Sequence, residues 1–262
     1  MWKRDANTDF GGKRWLDAVR KYTVGLRCNP TADEVYVLKM NRSLAYLHLK
    51  CYDAALDDTS YLHLGCETSE KGLYLAAKAL YGLRRFSESK QARENLLRKY
   101  PLDTNALNEM SRVDFRLAEQ TSGRYNVDKL YEVSKSCLPF CDVAMFMGPV
   151  ETRHSPGKGR GVYTTEAVKA GDLLLCEKAF EYCAPTDPNL LKSAQSWRSP
   201  VGVLMDLERN KMTTGTHGDL ITRITQTIFR NPSLATQITD LYHGDYKSTD
   251  IVKVDDVPVV DT

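Results

Sequence analysis

The sequence predicts an α+β protein in which a solenoid of helical hairpins precedes a region that contains β-strands. Three observations carry this prediction. Similar residues recur at a spacing of 34 in the first half, the helical period fails from Pro139 onward, and a glycine-rich basic run begins at Gly157. At about 100–200 residues per domain, the 262 residues favour two domains, which we place at 1–136 and 137–262.

Composition excludes several classes of protein. Apolar residues make up 42% and charged residues 27% of the chain, as in ordinary globular proteins. A formal charge of +2 is too balanced for a nucleic-acid-binding surface over the whole chain, so no direct nucleic-acid partner is expected. No apolar run approaches the length of a membrane helix, and the start leads into no secretory signal. We therefore expect an intracellular protein, cytoplasmic or nuclear, without a membrane partner.

The cysteine and histidine residues do not predict a metal site. Seven cysteines are present without a Cys-x-x-Cys pair, so we interpret them as reduced and mostly buried thiols. His217 and His243 stand without cysteines close by in the sequence. The sequence therefore predicts no metal ligands.

The repeat in the first half has the spacing of a known helical module. Tyr52 and Phe86 are 34 residues apart, and the same shift superposes Ala45 on Ala79. An aromatic residue, a small residue three positions later and a later proline recur as Trp15, Ala18 and Pro30, as Tyr52 and Ala55, and as Phe86, Ser89 and Pro101. Small residues let paired helices approach while the aromatic ring fills the space between repeats. The array resembles tetratricopeptide domains, for which a 34-residue period is typical.

Such an array predicts a protein or peptide partner. In residues 1–136, Lys and Arg outnumber Asp and Glu, which slightly favours an acidic partner. The alternative is that these charges only solvate an outer face. The pattern singles out no binding residue.

The second half opens with two extended stretches. Val150–Arg153 and Gly161–Thr165 favour β-structure and are separated by a Ser-Pro-Gly turn signal. If Gly157–Gly161 followed a strand-like path, its three glycines would share one face and its two cations the other. We expect Leu173–Phe180 to be the hairpin partner of this strand. The glycine spacing fits neither a phosphate-binding P-loop nor a dinucleotide fingerprint.

The runs Gly159–Thr165 and Val168–Phe180 resemble the opening of a SET domain, the fold of protein lysine methyltransferases. With the repeats ahead of it, nearly the whole chain resembles the fungal group of proteins that join tetratricopeptide repeats to a SET domain. The resemblance implies S-adenosylmethionine as cofactor and a protein lysine as substrate. It also implies that Lys158, Gly159, Arg160 and Gly161 contact the cofactor, whose carboxylate suits an adjacent cation.

Residues 187–246 are predicted to form a helical insertion within this SET-like region. One helical face is predicted to carry Leu220, Ile221, Ile224 and Ile228, and Asn231-Pro232-Ser233 ends that helix and caps the next. The chain as given stops before the catalytic motifs of SET domains, so we expect no catalytic residues and an inactive, truncated methyltransferase fragment. The alternative is a non-catalytic protein-interaction adaptor.

Overall fold

The first half of the chain is helical. The computed structural model describes residues 2–60, 69–135, 141–183, 202–206, 210–239, 241, 251–254 and 257–260. The helices of this half are α1 Trp2–Gly11, α2 Trp15–Arg27, α3 Ala32–His48, α4 Tyr52–Ser60, α5 Glu70–Gly82, α6 Phe86–Lys99, α7 Thr104–Ser122 and α8 Val127–Ser134. Across the described residues, no helix combines the length and the apolar character needed to cross a membrane.

Helices α1 to α7 form a solenoid in which each helix packs on the next. The three small residues that the repeat aligns, Ala18, Ala55 and Ser89, have no exposed surface. The aligned Phe86 is buried as well, and Trp15 stacks on the His48 ring with 4.1 Å between ring centroids. The predicted solenoid of helical hairpins is therefore confirmed.

One hydrogen bond recurs between the paired helices of two hairpins. The Ser43 hydroxyl on α3 donates to the Ala55 carbonyl on α4 over 2.8 Å. In the next hairpin the Ser89 hydroxyl on α6 donates to the Ala77 carbonyl on α5 over 2.7 Å. Serine and alanine thus exchange helices between repeats while the bond is kept. A hydroxyl can reach the opposite backbone only because small residues bring the helices close.

The turn inside each hairpin has the same backbone geometry. Lys13, Lys50 and Arg84 adopt positive φ angles of 60°, 58° and 60°. The residue after each donates its backbone N–H to a carbonyl five residues earlier, as from Cys51 to Tyr46 over 2.9 Å. This pattern closes the end of a helix and usually places glycine at the left-handed position. The chain places a cation there in all three hairpins.

The second half consists of short strands and one longer helix. The strands are β1 Phe146–Met147, β2 Val150–Ser155, β3 Gly159–Thr164, β4 Leu175–Cys176, β5 Gly202–Asp206, β6 Lys211–Gly215, β7 Ile251–Val254 and β8 Val257–Val260. They pair as antiparallel two-stranded units, β1 with β4, β2 with β3, β5 with β6 and β7 with β8. The helical elements are α9 His217–Arg230, a 3₁₀ turn Pro232–Leu234 and α10 Thr236–Thr239.

Two predictions about the glycine-rich stretch are wrong. Strand β3 pairs with β2, and within the expected partner Leu173–Phe180 only Leu175–Cys176 forms a strand, which pairs with Phe146–Met147. The strand-like alternation also fails at its start, since Gly157 and Lys158 lie in the turn and Gly157 and Gly159 have φ angles of 71° and 79°. Strand β3 pairs with β2 because a tight turn connects them directly. Closing this short loop costs less conformational entropy than pairing with a distant segment.

The helical prediction for 187–246 is correct only in part. Residues 202–206 and 211–215 form the paired strands β5 and β6, and the helix begins at His217. The apolar residues Val203, Leu204 and Met205 follow one another without a helical period, so this run suits a strand. Helix α9 ends at Arg230, just before the predicted Asn-Pro-Ser stop. Residues 184–201 and 242–250 lie outside the described part of the chain.

The segment after α9 docks on the helical array through Asn231. This side chain is buried, and its Oδ1 accepts from the backbone N–H groups of Tyr52, at 2.6 Å, and Asp53, at 3.3 Å. Its Nδ2 donates to the Lys50 carbonyl over 2.9 Å. Asp53 in turn accepts from the Ser233 backbone and hydroxyl. Asn231 therefore acts as the N-cap of α4, although 179 residues separate it from Tyr52.

Five cysteines lie within the described residues, and all are free thiols: Cys28, Cys51, Cys141, Cys176 and Cys183. Cys28 is exposed and the other four are partly buried. The prediction that the thiols are mostly buried is wrong for these five cysteines, because none of them is fully buried.

Packing between the second and third hairpins predicts opposite effects of alanine at two helix-terminal glycines. A Cβ at Gly82 would overlap the Tyr52 ring, whereas one at Gly11 meets no atom within 4 Å. We expect Gly82→Ala to lower the free energy of unfolding by about 1–2 kcal/mol, because overpacking outweighs the gain in helix propensity. Gly11→Ala should leave it unchanged or raise it by up to about 1 kcal/mol. Urea unfolding followed by circular dichroism measures both, and equal effects would contradict the packing of Tyr52 on Gly82.

Candidate functional site

The first helices of the hairpins share one face, and a row of polar side chains crosses it. We call this row the amide–lysine patch: Lys3 and Asn7 on α1, Asn41 on α3 and Lys71 on α5. The Tyr22 hydroxyl donates to Asn7 Oδ1 over 2.6 Å, and Asn41 Nδ2 donates to the same oxygen over 3.3 Å. Lys71 Nζ donates to Asn41 Oδ1 over 2.7 Å. These bonds join three repeats and fix the orientation of both amides.

The patch has an excess of hydrogen-bond donors and of positive charge. With both amide oxygens engaged as acceptors, Asn7 Nδ2 and the remaining N–H groups of Lys71 and Lys3 are further hydrogen-bond donors of the patch. Burial, and then the charge of Lys3, lowers the pKa of Lys71. The charge of Lys3 also contributes to lowering the pKa of Glu34, a nearby carboxylate. Glu34 already accepts hydrogen bonds from Thr31 in the capping box of α3. The patch is therefore suited to an anionic group that accepts several hydrogen bonds.

None of these four residues was predicted from the sequence. Asn7 and Asn41 are 34 residues apart, but the first two hairpins are offset by 37, as their turn residues Lys13 and Lys50 show, so the two asparagines do not occupy equivalent repeat positions. The repeat therefore gave no signal for the patch, and only the packing of α1, α3 and α5 brings the four residues together.

Farther along the same face, beside α5 and α7, lies the carboxylate of Asp142, a residue of this chain. Asp142 accepts from the Tyr81 hydroxyl at 2.9 Å and from Arg112 Nε at 2.7 Å, and Arg116 lies 3.4 Å away. Burial alone would raise the pKa of Asp142, but the bonds from Arg112 and Tyr81 hold this pKa below its usual value. Burial, with Asp142 as the second cause, raises the pKa of Tyr81 to about 12.

The backbone around Asp142 is held like a bound peptide. The Ala144 N–H donates to Glu119 Oε2 over 2.8 Å, and its carbonyl accepts from the Tyr125 hydroxyl over 2.9 Å. Ala144 is buried with Phe86 and Val113. The segment 141–144 therefore occupies the face beside α5 and α7, while the amide–lysine patch beside α1 and α3 is not covered by it.

The predicted cofactor contacts lie on the β2–β3 hairpin. Lys158 is in the turn, Gly159 and Arg160 pair with Ser155 and His154, and Gly161 pairs with Arg153. Lys158, Gly159 and Arg160 are exposed, and Gly161 lies against the Tyr163 ring. A Cβ at Gly157 or Gly159 would meet nothing within 4 Å, so a ligand could approach this backbone. As arranged, the four residues fit one side of a site for an anionic group, and the described residues do not enclose them.

Comparison with known proteins finds one methyltransferase-named relative. The chain is 34% identical over 250 residues to a protein of Gibberella zeae named "Methyltransferase". The match covers 95% of this chain and 34% of that protein. The chain thus spans about a third of the length of the relative. No family model matches the chain.

Solved tetratricopeptide domains resemble the helical part. The second such domain of human RPAP3, solved in complex with the HSP70 peptide SGPTIEEVD, is 26% identical, with a TM-score of 0.40. The match covers 43% of this chain and 92% of that domain. The first domain of human RPAP3 is 27% identical, with a TM-score of 0.41, and the match covers 45% of this chain and 91% of that domain.

The ion pairs of Asp142 predict an acid-sensitive contribution to stability. We expect Asp142→Asn to lower the free energy of unfolding by about 1 kcal/mol at neutral pH, at the low end for bonds to charged groups because the site is half exposed. Since the folded-state pKa is lowered, the contribution is present above the unfolded pKa of about 3.9 and is lost as the pH falls through the folded pKa. The difference in the free energy of unfolding between wild type and Asp142→Asn should therefore shrink as the pH falls through this range.

Urea unfolding at neutral and at acid pH measures this difference. Asp17→Asn, which removes an exposed partner of Arg20, is the matched control, and we expect it to change stability less at neutral pH. A difference for Asp142→Asn that stays constant as the pH falls would contradict the assignment.

Proposed function

We propose that this chain belongs to an S-adenosylmethionine-dependent protein lysine methyltransferase and recruits a protein partner by binding an acidic peptide carboxyl terminus. The amide–lysine patch carries the binding part of this proposal. The methyltransferase part rests on the relative from Gibberella zeae, which bears that name and aligns with nearly the whole chain. The resemblance of the second half to a SET opening supports the choice of lysine as the methyl acceptor.

The chemistry of the patch selects the ligand. Lys71 donates to Asn41, and Lys3 lines the same surface depression as Asn7, so a ligand with two carboxylates can pair with both lysines. A peptide that ends in an acidic residue supplies the terminal carboxylate and a side-chain carboxylate. The amide of Asn7 donates to such a group or to a backbone carbonyl of an extended peptide.

On the second half, we propose that Lys158, Gly159, Arg160 and Gly161 contact the cofactor. The exposed cations suit its carboxylate, and the open glycine backbone permits close approach. S-adenosylmethionine supplies the methyl group when bound. The residues of the β2–β3 hairpin would only hold and orient it.

Peptide binding tests the amide–lysine patch. We expect fluorescein-labelled SGPTIEEVD to bind the 262-residue chain in an anisotropy titration. Lys71→Ala should raise the dissociation constant about tenfold, the loss expected for a charge-assisted hydrogen bond. Added salt should weaken binding, because the contact is ionic.

Two controls accompany this titration. Lys99→Ala removes an exposed lysine from a second helix of a hairpin and should leave the affinity unchanged. The same peptide with an amidated carboxyl terminus should bind more weakly. Equal binding of the two peptides, or unchanged affinity of Lys71→Ala, would refute the proposal.

Calorimetric titration with S-adenosylmethionine tests the hairpin. The double variant Lys158→Ala, Arg160→Ala should bind the cofactor several-fold more weakly than the unchanged chain, because both cations are lost. The double variant Lys99→Ala, Lys129→Ala removes equal charge elsewhere and serves as the control. If all three proteins give the same result, the hairpin has no role in holding the cofactor.

A further inference from the structure

A cavity of about 700 Å³ lies between the helical array and residues 178–182 of the second half. Its walls come from helices α3 to α7 and the turns at Lys50 and Arg84 on one side, and from the segments 141–143 and 178–182 on the other. A smaller cavity of about 150 Å³ shares Lys50, Arg84 and Glu181 with it and extends to Arg230. The lining includes none of the residues of the amide–lysine patch, so this site is separate from the proposed peptide site.

The cavity holds more positive than negative charge. Among its cations, Arg112 pairs with Asp142, and Arg93 pairs with Glu109 over 2.6 Å. In the described part of the chain, no carboxylate forms an ion pair with Lys50, Arg84 or Lys178. The acid beside Arg84 is Glu181, whose Oε1 accepts from the Thr227 hydroxyl. Three cations from three segments of the chain therefore line one cavity without an ion pair to a described carboxylate, and the acids nearest to them are Glu181 beside Arg84 and Asp142 on the side of Lys178.

Arg84 and Lys178 are the inner pair of this group. Both side chains are partly buried. Lys178 Nζ donates one hydrogen bond to the Cys141 carbonyl over 2.7 Å, so two of its N–H groups are left as donors for a ligand. Burial lowers the pKa of both groups, and for Lys178 the charge of Arg84 is the second cause. An anion between them would offset the cost of burying two positive charges and would remove their mutual repulsion.

Aromatic and aliphatic residues line the cavity together with these charged groups. Tyr52, Phe86 and Phe180 line the cavity beside these cations, and the exposed Tyr182 and Lys50 lie at its rim. A cavity of this volume, with aromatic walls and several charged groups that converge on it, suits a small charged molecule. Aromatic walls favour a flat ring or another apolar group on the ligand.

We propose that this cavity binds an organic phosphate, with the phosphate between Arg84 and Lys178 and its apolar part against Phe180. The guanidinium of Arg84 matches two phosphate oxygens, and the Lys178 ammonium supplies a further charge-assisted bond. Lys50 at the rim adds attraction for a doubly charged anion. A neutral ligand would leave the three cations facing one another.

Phenyl phosphate is the probe, because it joins a dianion to a ring. We expect it to bind the 262-residue chain in a calorimetric titration and to raise the melting temperature. Arg84→Gln and Lys178→Gln should each raise the dissociation constant about tenfold, the loss of one charge-assisted hydrogen bond. Lys129→Gln, an exposed lysine on α8, should leave it unchanged.

Two further titrations separate the sources of binding. Phenol carries the ring alone and should not bind measurably, whereas inorganic phosphate should bind more weakly than phenyl phosphate. Inorganic phosphate that binds as tightly as phenyl phosphate would support the phosphate site and assign it to the free ion. No binding of phenyl phosphate, binding equal to that of phenol, or unchanged affinity in both Gln variants would overturn the proposal.

Discussion

The close approach of the two helices in each hairpin is the constraint on which the rest of the structure depends. It requires the fully buried small residues Ala18, Ala55 and Ser89, and it brings a serine hydroxyl within reach of the opposite helix backbone. Because consecutive hairpins then repeat at a fixed spacing, their first helices align into one face. The amide–lysine patch exists only because that face is continuous from α1 to α5.

The chain uses the two ends of this face differently. Beside α7, its own segment 141–144 supplies the acid and the extended backbone, and Arg112, Tyr81, Glu119 and Tyr125 hold them. Beside α1 and α3, the segment 141–144 supplies no acid to the amide–lysine patch, and the carboxylate of Glu34 near Lys3 is already engaged in the capping box of α3. The end beside α7 shows how this array holds a carboxylate, since a cation and a neutral hydroxyl both donate to Asp142. The amide–lysine patch offers the same combination of cations and neutral donors.

Docking of the second half creates the cavity. Asn231 caps α4 and fastens the end of α9 to the turn at Lys50, while Asp142 fastens the segment that follows α8. Between these two attachments, residues 178–182 cross the array without filling the space beneath them. The positive-φ turn positions Lys50 and Arg84 project cations into this space, at places where a glycine would supply none.

The sequence by itself determined the helical solenoid, its 34-residue period and its buried small residues, because contacts within and between neighbouring hairpins are local and repeat along the chain. It also located the turn between β2 and β3 and the end of α9. Tertiary structure alone decided the strand partners, the clustering of Lys3 with Lys71, the clamping of Asp142 and the capping of α4 by Asn231. These contacts join residues up to 181 positions apart, and no local preference encodes them, because each depends on which surfaces remain exposed after the hairpins have packed.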